Sequence, residues 1–295
     1  MHDGQIALIS SFGPDHLHLV SPFIEHYRLF GVNAFFLNVH FDSRFPQESH
    51  AGFIEKAAAI LARHGVSVHS SYAVPFDAMA IRRHHEAIQC EIASQFRWIV
   101  WADIDEFHEF PCLLPDLVER LETNECSYVK GRFIDRMARR GLPDFSLDQS
   151  PWQQFPIGTN ITRAVLGGVC DKVMLGRSDI SVIPGHHDIS PDVVAKAYPG
   201  VYAVHHFKWD QSVVARLKLR LEKDWRDRCT WWVQSARALE WLSRGCAADL
   251  EGIQRYDFQD DHFENGGGPF SGNVRYRSSV VVASCVPEDS AGQVV

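Results

Sequence analysis

The sequence predicts an α/β fold in which helices flank a mixed, mostly parallel sheet. In the first 110 residues, short apolar runs typical of buried strands alternate with segments whose apolar residues recur at helical spacing. Gly31 and Gly65 stand where the first two helices should end, and Asp77 stands where the third should begin. Strands that alternate with helices of this length favour a parallel sheet covered on both faces.

The first half of the chain contains these elements in a regular order. Strands are predicted at residues 6–11, 34–39, 66–74 and 98–102, and helices around residues 20–27, 54–61 and 81–92. Ligands of parallel sheets bind beyond the carboxyl ends of the strands. We therefore expect the loop after Ser11, residues 38–43 and residues 103–106 to meet in one crevice.

The pattern changes after Pro111. A helix is predicted at residues 114–121, strands at 127–133, 172–175, 180–183 and 202–207, and a second helix at 212–227, whereas 137–168 have the composition of long loops. We predict one domain over residues 1–228, with halves 1–111 and 112–228. A helical extension follows at 229–295, with a turn at Gly266-Gly267-Gly268-Pro269 and a loose tail.

Composition excludes several classes of protein. The formal net charge is −8, and the basic stretch 216–228 is interleaved with acids, as on a solvated helix face, so nucleic-acid binding is not expected. Seven cysteines without Cys-x-x-Cys spacing argue against a disulfide framework. No signal peptide or membrane-spanning run is visible, which predicts a cytoplasmic protein that reaches any membrane-bound acceptor from the water side.

An acidic cluster follows the fourth predicted strand. Asp103 and Asp105 lie two residues apart, so on an extended strand their side chains would share a face, with Cα atoms about 6.5 Å apart. Such a pair can bind Mg²⁺ or Mn²⁺, which prefer oxygen ligands and substrate phosphates. A metal there would stabilise a departing nucleotide diphosphate.

Three segments resemble a known family. Residues 98–107, WIVWADIDEF, resemble the Asp-x-Asp-Glu-Phe block of the family-2-like glycosyltransferases, which have the Rossmann-like GT-A fold. Residues 25–32 resemble that group's first helix and its exit into the second strand. His206-Phe207-Lys208-Trp209 resembles its late His-aromatic motif, which a basic helix follows. The resemblance covers about residues 5–225.

The resemblance implies a metal-dependent enzyme that moves a sugar from a nucleotide-diphosphate sugar to an acceptor hydroxyl, with a lean towards inversion. The half 1–111 would bind the nucleotide sugar, and the half 112–228 would bind the acceptor, whether glycan, lipid or small molecule. The implied metal ligands for Mn²⁺ or Mg²⁺ are Asp103, Asp105 and His206. His205 would point to the opposite face of its strand, away from the metal.

Further side chains are candidates for the donor and the acceptor. The expected donor contacts are Ser10, Ser11, Asp42, Arg82, Asp103, Lys172 and Lys208, the two lysines because a point positive charge suits phosphate. Glu106 is expected to orient the acidic block and, with His187, to contact the acceptor. Trp225, Trp231 and Trp232 could stack on an acceptor ring or pack in the core.

The general base and two rival functions stay open. Asp135 and Asp188 are the candidate bases, although Asp135 could instead pair with Arg132 or Arg136. One rival function is an aspartate-dependent phosphatase-like hydrolase, but its Asp-x-Asp pair would follow the first strand rather than the fourth. The other rival is a non-catalytic carbohydrate-binding protein of the same fold.

Overall fold

The computed structural model describes residues 6–42, 45–75, 77–222, 226, 231–244 and 255–257. The predicted turn at residues 266–269 and the tail lie outside these residues, as do Ser43 and Trp225. Of the predicted extension, the structure describes residues 231–244 and 255–257 alone.

The N-terminal half is a parallel sheet that alternates with helices, as predicted. Its elements are β1 (Ile6–Phe12), α1 (Val20–Leu29), β2 (Ala34–Phe41), α2 (His50–Arg63), β3 (Val68–Ala73), α3 (Ala78–Ile92) and β4 (Trp98–Trp101). The four strands pair in the order β3-β2-β1-β4, all parallel. A 3-10 helix at Pro14–Leu19 precedes α1. Asp77 caps α3 by accepting a hydrogen bond from the Met79 amide.

The central strands are buried on both faces. On β4, Trp98 and Val100 pack into a core under α1, whereas Ile99 and Trp101 pack into a second core under α3. Alternate side chains of a strand point to opposite faces, so a continuous apolar run fits a sheet covered on both sides. These strands therefore give the polar residues at their carboxyl ends a rigid support.

The second half adds shorter elements and mostly antiparallel pairing. They are β5 (Glu106–His108), α4 (Leu114–Thr123), β6 (Tyr128–Met137), α5 (Pro151–Gln154), β7 (Ile157–Thr159), α6 (Ile161–Ala164), β8 (Asp171–Arg177), β9 (Ala197–His206), α7 (Val213–Leu219), α8 (Trp232–Ser243) and β10 (Arg255–Asp257). Strand β8 pairs antiparallel with β4 and β6, which joins the two halves. Strand β9 lies parallel to β6 and antiparallel to β5.

The predicted fold class is confirmed: a mixed α/β sheet flanked by helices, with α8 inside the predicted extension. Helix α8 packs against α7 through Ala238, Trp241 and Leu217 in a third apolar cluster. Among the described residues, no helix combines the length and apolar character that crossing a bilayer requires. The boundary at residue 228 stays a prediction.

Three local predictions were wrong. The helix expected over residues 212–227 is α7, which ends at Leu219. Residues 180–183 form no strand, only an isolated bridge between Val182 and Ile189. Residues 137–168 are not continuous loop, because they contain α5, β7 and α6. Each of these three elements has three or four residues, which is too short for a periodic pattern to show in the sequence.

Candidate functional site

One cavity of about 330 Å³ lies beyond the carboxyl ends of the parallel strands. The end of β1 and the residues that follow it, from Ser11 to His16, form one side, and His40 and Asp42 at the end of β2 form the next. Asp103 and the residues up to Glu106, after β4, form the floor. The three segments expected to share a crevice therefore do so, as far as the described residues extend.

The acidic residues lie on a turn rather than on an extended strand. Strand β4 ends at Trp101, and the Glu106 amide donates a 2.9 Å hydrogen bond to the Asp103 carbonyl. This i to i+3 bond closes a turn, so turn geometry and not strand alternation brings Asp103 and Asp105 to the same cavity. The Asp103 side chain is 45% exposed and that of Asp105 is 15% exposed, so both can meet a ligand.

The buried side chains of Glu106 and Lys172 hold this turn in place. The Glu106 carboxylate lies 2.8 Å from the Lys172 ammonium and accepts a 3.3 Å hydrogen bond from the Asp103 amide. Lys172 also donates to the Gly185 carbonyl at 2.6 Å and lies 3.5 Å from Asp103. Burial raises the pKa of Glu106, although the Lys172 charge opposes the shift. Both side chains are almost fully buried and join the turn to the 184–187 segment.

His206 lies between two carboxylates. Its Nε2 is 3.4 Å from Asp105 Oδ2, and its Nδ1 is 3.6 Å from Asp135 Oδ1. Burial and the Lys208 ammonium act to lower the pKa of His206, but the two carboxylates outweigh them and raise it. The Phe133 ring stacks on the imidazole with centroids 4.6 Å apart. His205 points the other way and meets Glu109 at 3.2 Å, as the alternation of a strand requires.

Asp135 is fully buried, and its carboxylate accepts several hydrogen bonds. It accepts hydrogen bonds from the Thr162 amide at 2.6 Å, the Thr162 hydroxyl at 2.7 Å and the Trp209 indole at 3.1 Å. Lys208 lies 3.6 Å away. Burial acts to raise the pKa of Asp135, but Lys208 and the hydrogen bonds from its neighbours hold that pKa well below its usual range. Asp135 does not line the cavity. Its expected partners Arg132 and Arg136 instead bind Asp171 and the Phe155 carbonyl.

A network of serine, tyrosine and histidine side chains lies beside the acidic turn. Ser11 Oγ is 2.7 Å from His85 Nε2 and accepts a hydrogen bond from the Tyr72 hydroxyl at 3.1 Å. His85 Nδ1 is 3.3 Å from His186 Nε2, and the two rings stack. His186 has a φ of 56°, in the left-handed region that costs energy for a residue with a side chain. Burial lowers the pKa of His85 to about 4.

The structure brings most of the expected site residues to this cavity. The lining includes Ser11, Asp42, Arg82, Asp103, Asp105, Glu106, Lys172, His187, His206 and Lys208. Ser10, Asp135 and Asp188 are not among the lining residues. Ser10 lies within β1 and is completely buried, and Asp188 is exposed, with its carboxylate accepting a hydrogen bond from the Ile189 amide. The structure thus leaves both expected bases out of the cavity.

Three basic or imidazole side chains were not expected here. His16 lines the cavity after β1, and Arg216 and Arg220 line it from α7 and its end. The interpretation of 216–228 as a solvated face was therefore wrong for these two arginines. One feature of the sequence could have indicated this position. The two arginines are four residues apart just after the His-aromatic motif, and residues four apart share a helix face. Trp231 also lines the cavity, whereas Trp232 does not.

Comparison with known proteins identifies no family. No family model and no curated protein matches the sequence. A solved structure of UDP-glucose pyrophosphorylase complexed with UDP-glucose matches with a TM-score of 0.24 and 11% identity. The match covers 52% of this chain and 66% of that chain, just under two thirds of its length. Similarity at that level supports no inference about the present site, which therefore has to be judged on its own geometry.

Proposed function

We propose that this protein is a metal-dependent glycosyltransferase that transfers a sugar from a nucleotide-diphosphate sugar to an acceptor hydroxyl. The observation that carries the proposal is the turn at the end of β4. It presents Asp103 and Asp105 to a cavity that also contains His206 and Lys208. Acids and cations that face one space suit a ligand with a metal-bound diphosphate. The resemblance of the sequence motifs favours inversion.

The residues of the turn fit a metal shared with a substrate. Among the described residues, no group of three or more His, Cys, Asp or Glu side chains is arranged to hold a metal alone. Mg²⁺ is usually bound by one or two carboxylates and by substrate phosphates, so a complete protein cage is not required. Asp103 and Asp105 would hold Mn²⁺ or Mg²⁺, with His206 beside them. The bound ion would neutralise charge that develops on the leaving diphosphate.

The protein groups around the turn have separate tasks in this proposal. Lys172 and Glu106 hold the Asp103 turn in place through the buried contacts described above. Lys208 also lines the cavity and would contact the diphosphate oxygens. Ser11 and Asp42, at the ends of β1 and β2, would contact the nucleoside.

Asp135 has a different role from the general base first expected. A general base must come within hydrogen-bond reach of the acceptor hydroxyl, but Asp135 is buried behind His206. A carboxylate close to the far nitrogen of a histidine favours a proton on that nitrogen and orients the ring. We therefore assign Asp135 as the residue that positions His206.

The test is nucleotide-sugar turnover. The protein should release nucleoside diphosphate from one class among UDP-, GDP- and dTDP-sugars, and only with Mn²⁺ or Mg²⁺ present. The Asp105→Asn variant should lower that rate at least about 100-fold. Asp192→Asn, an exposed acid outside the cavity, should leave it unchanged.

Other outcomes identify the rivals. Release of phosphate from p-nitrophenyl phosphate without nucleotide-sugar turnover would establish the phosphatase-like function instead. The position of the Asp-x-Asp pair after β4, and not after β1, is already unlike that function. Binding of sugars without any turnover would establish the non-catalytic protein.

A further inference from the structure

Sugar transfer to a hydroxyl needs a group that takes the hydroxyl proton. Neither base expected from the sequence fits, because Asp135 is buried behind His206 and Asp188 does not line the cavity. A general base must come within hydrogen-bond reach of the acceptor. The base therefore has to be a residue of the cavity lining with a lone pair that faces no donor of the protein.

His187 has such a lone pair. Its Nδ1 lies 2.9 Å from the Asp171 carbonyl, and because a carbonyl oxygen only accepts, Nδ1 carries a proton and donates it. Burial and the Lys172 charge lower the pKa of His187 to about 4, so the ring is neutral at pH 7 and Nε2 carries no proton. Among the described residues none hydrogen-bonds to Nε2, and the half-buried ring lines the cavity.

The 184–187 segment that carries His187 is tied to the acidic turn. Lys172 donates to the Gly185 carbonyl at 2.6 Å, and the same ammonium lies 2.8 Å from Glu106 and 3.5 Å from Asp103. Gly185 has a φ of 74°, and a Cβ there would lie 2.9 Å from His187 Nε2. A residue without a side chain at this position therefore lets the imidazole lie against the segment with Nε2 uncovered.

Phe133 separates His187 from the expected metal site. Its ring stacks on His206 with centroids 4.6 Å apart, and it meets His187 edge-on with centroids 6.1 Å apart. All three side chains line the cavity. In an inverting transfer the acceptor oxygen attacks on the side opposite the leaving group, so the base has to stand apart from the metal-bound diphosphate. The position of His187 meets this requirement.

The other proton acceptors of the cavity have partners or tasks of their own. Asp103 and Asp105 form the expected metal site, and Glu106 is paired with buried Lys172. Three imidazoles of the lining are already engaged at Nε2, by an arginine, a carbonyl and another imidazole: His16, His40 and His186. Asp15, after β1, is the rival that the experiment has to test.

We propose that His187 is the general base of the transfer. Its Nε2 takes the proton of the acceptor hydroxyl while the hydroxyl oxygen bonds to the anomeric carbon of the donor sugar. The bond from that carbon to the diphosphate oxygen breaks, and its electron pair leaves with the diphosphate. The Asp171 carbonyl keeps the Nδ1 proton in place and orients the ring. This assignment rests on the proposed glycosyltransferase function, since it names a catalytic residue of that same reaction.

The experiment measures the release of nucleoside diphosphate from the active nucleotide sugar with saturating Mn²⁺ and water as the acceptor. In His187→Asn the side-chain amide can still donate to the Asp171 carbonyl, but it cannot take a proton. We expect kcat to fall about 100-fold or more, because general-base catalysis is lost. The KM of the donor and the dissociation constant of Mn²⁺ with nucleoside diphosphate should change less than about twofold.

Two further measurements distinguish a base from a structural residue. Added imidazole should restore part of the activity of His187→Gly, because a small base can fill the space of the missing ring. In ¹⁵N NMR of histidine-labelled protein at pH 7, the signals that His187→Asn removes should show a protonated Nδ1 and an unprotonated Nε2. His69→Asn, at a half-buried histidine outside the cavity lining, is the matched control and should leave kcat unchanged.

Several results would overturn the assignment. One is a His187→Asn variant with the kcat of the wild type, and another is a variant whose loss is explained by weaker binding of Mn²⁺ and nucleoside diphosphate. A protonated Nε2 at pH 7 would contradict it without any turnover measurement. Loss of kcat in Asp15→Asn but not in His187→Asn would assign the base to Asp15. A wild type that turns over no nucleotide sugar would instead overturn the proposed transferase, and the assignment with it.

Discussion

At the scale of single residues, His206 shows how the site depends on contacts distant in sequence. The imidazole is held between Asp105 and Asp135, and Asp135 is itself fixed by Thr162 and Trp209. Replacing one partner in such a buried network leaves the other groups without compensation, which costs more than the pair contributes. The Asp135 contacts should therefore affect both stability and function.

Asp135→Asn should destabilise the fold by about 2–4 kcal/mol, because the amide nitrogen cannot accept hydrogen bonds and the charge opposite His206 and Lys208 is lost. Urea unfolding at neutral pH measures the difference in the free energy of unfolding. Asp188→Asn, at an exposed carboxylate, is the control and should change it by less than about 0.5 kcal/mol. Equal stability of both variants would contradict the role given to Asp135.

The sequence was informative about residues whose signal is local. Asp103, Asp105 and His206 stand in short motifs, and each lines the cavity. The contacts of Asp135 could not be predicted, because Thr162 and Trp209 lie 27 and 74 residues farther along the chain. The position of Arg216 in the cavity could not be predicted for the same reason, because its contact with His16 spans 200 residues of sequence.

At the scale of secondary-structure elements, the apolar periodicity of the sequence predicted the long N-terminal strands and helices and missed the shortest elements. The N-terminal strands and helices each contain enough residues to show a period, and the predictions for them are confirmed. Strand β5 has three residues and exists because β9 pairs with it, so tertiary contacts and not local pattern determine it. The same holds for β7, which pairs with the end of β6.

Strand β6 contains a glycine that the packing requires. A Cβ at Gly131 would lie 2.4 Å from Met174 Sδ and 2.6 Å from Val204 Cγ2, on the neighbouring strands β8 and β9. We expect Gly131→Ala to destabilise the fold by about 1–3 kcal/mol, because the core must shift to admit the methyl group. Thermal or urea unfolding measures this change.

Gly52 on α2 is the matched control. A Cβ there would meet nothing within 4 Å, and its φ does not require glycine. Gly52→Ala should therefore stabilise the fold by about 0.5–1 kcal/mol through the higher helix propensity of alanine. If both substitutions shifted stability in the same direction, the packing account of β6 would be wrong.

At the scale of the whole molecule, buried neutral histidines should make the fold sensitive to acid. Burial lowers the pKa of four histidines to about 4: His16, His26, His85 and His187. Between pH 6.5 and 5 the unfolded chain takes up protons at these positions and the folded chain does not, so stability falls as the pH falls. Each such group contributes up to about 1.4 kcal/mol per pH unit. The raised pKa of Glu106 acts in the opposite direction over this range, but it is one group against four histidines, and the raised pKa of His206 affects stability only above about pH 6.5.

The measurement is the free energy of unfolding from pH 7 to pH 5, for the wild type and for His26→Gln. His26 is partly buried and does not line the cavity, and its Nε2 lies 2.8 Å from the His108 carbonyl. The variant should show a shallower pH dependence by about one proton's contribution. A wild-type curve that is flat over this range would show that the buried histidines are not held neutral.

The two halves of the chain supply different parts of one site. The parallel half supplies the acidic turn, and the second half supplies His206, Lys208, Arg216 and Arg220. Neither half alone would surround the cavity. The fold class and the acidic side followed from the sequence, whereas the cationic side needed the structure because it is assembled from separate segments.

The most direct test of the central claim is the melting temperature of the protein with nucleoside diphosphates and Mn²⁺. A ligand that binds only the folded state raises the melting temperature, and the rise is larger when its concentration is higher relative to its dissociation constant. We predict a rise with Mn²⁺ and one nucleoside diphosphate together, a much smaller rise with either alone, and no joint rise for Asp105→Asn. A joint rise that is unchanged in the Asp105→Asn and Asp103→Asn variants would contradict the claim that this turn holds a metal-bound diphosphate.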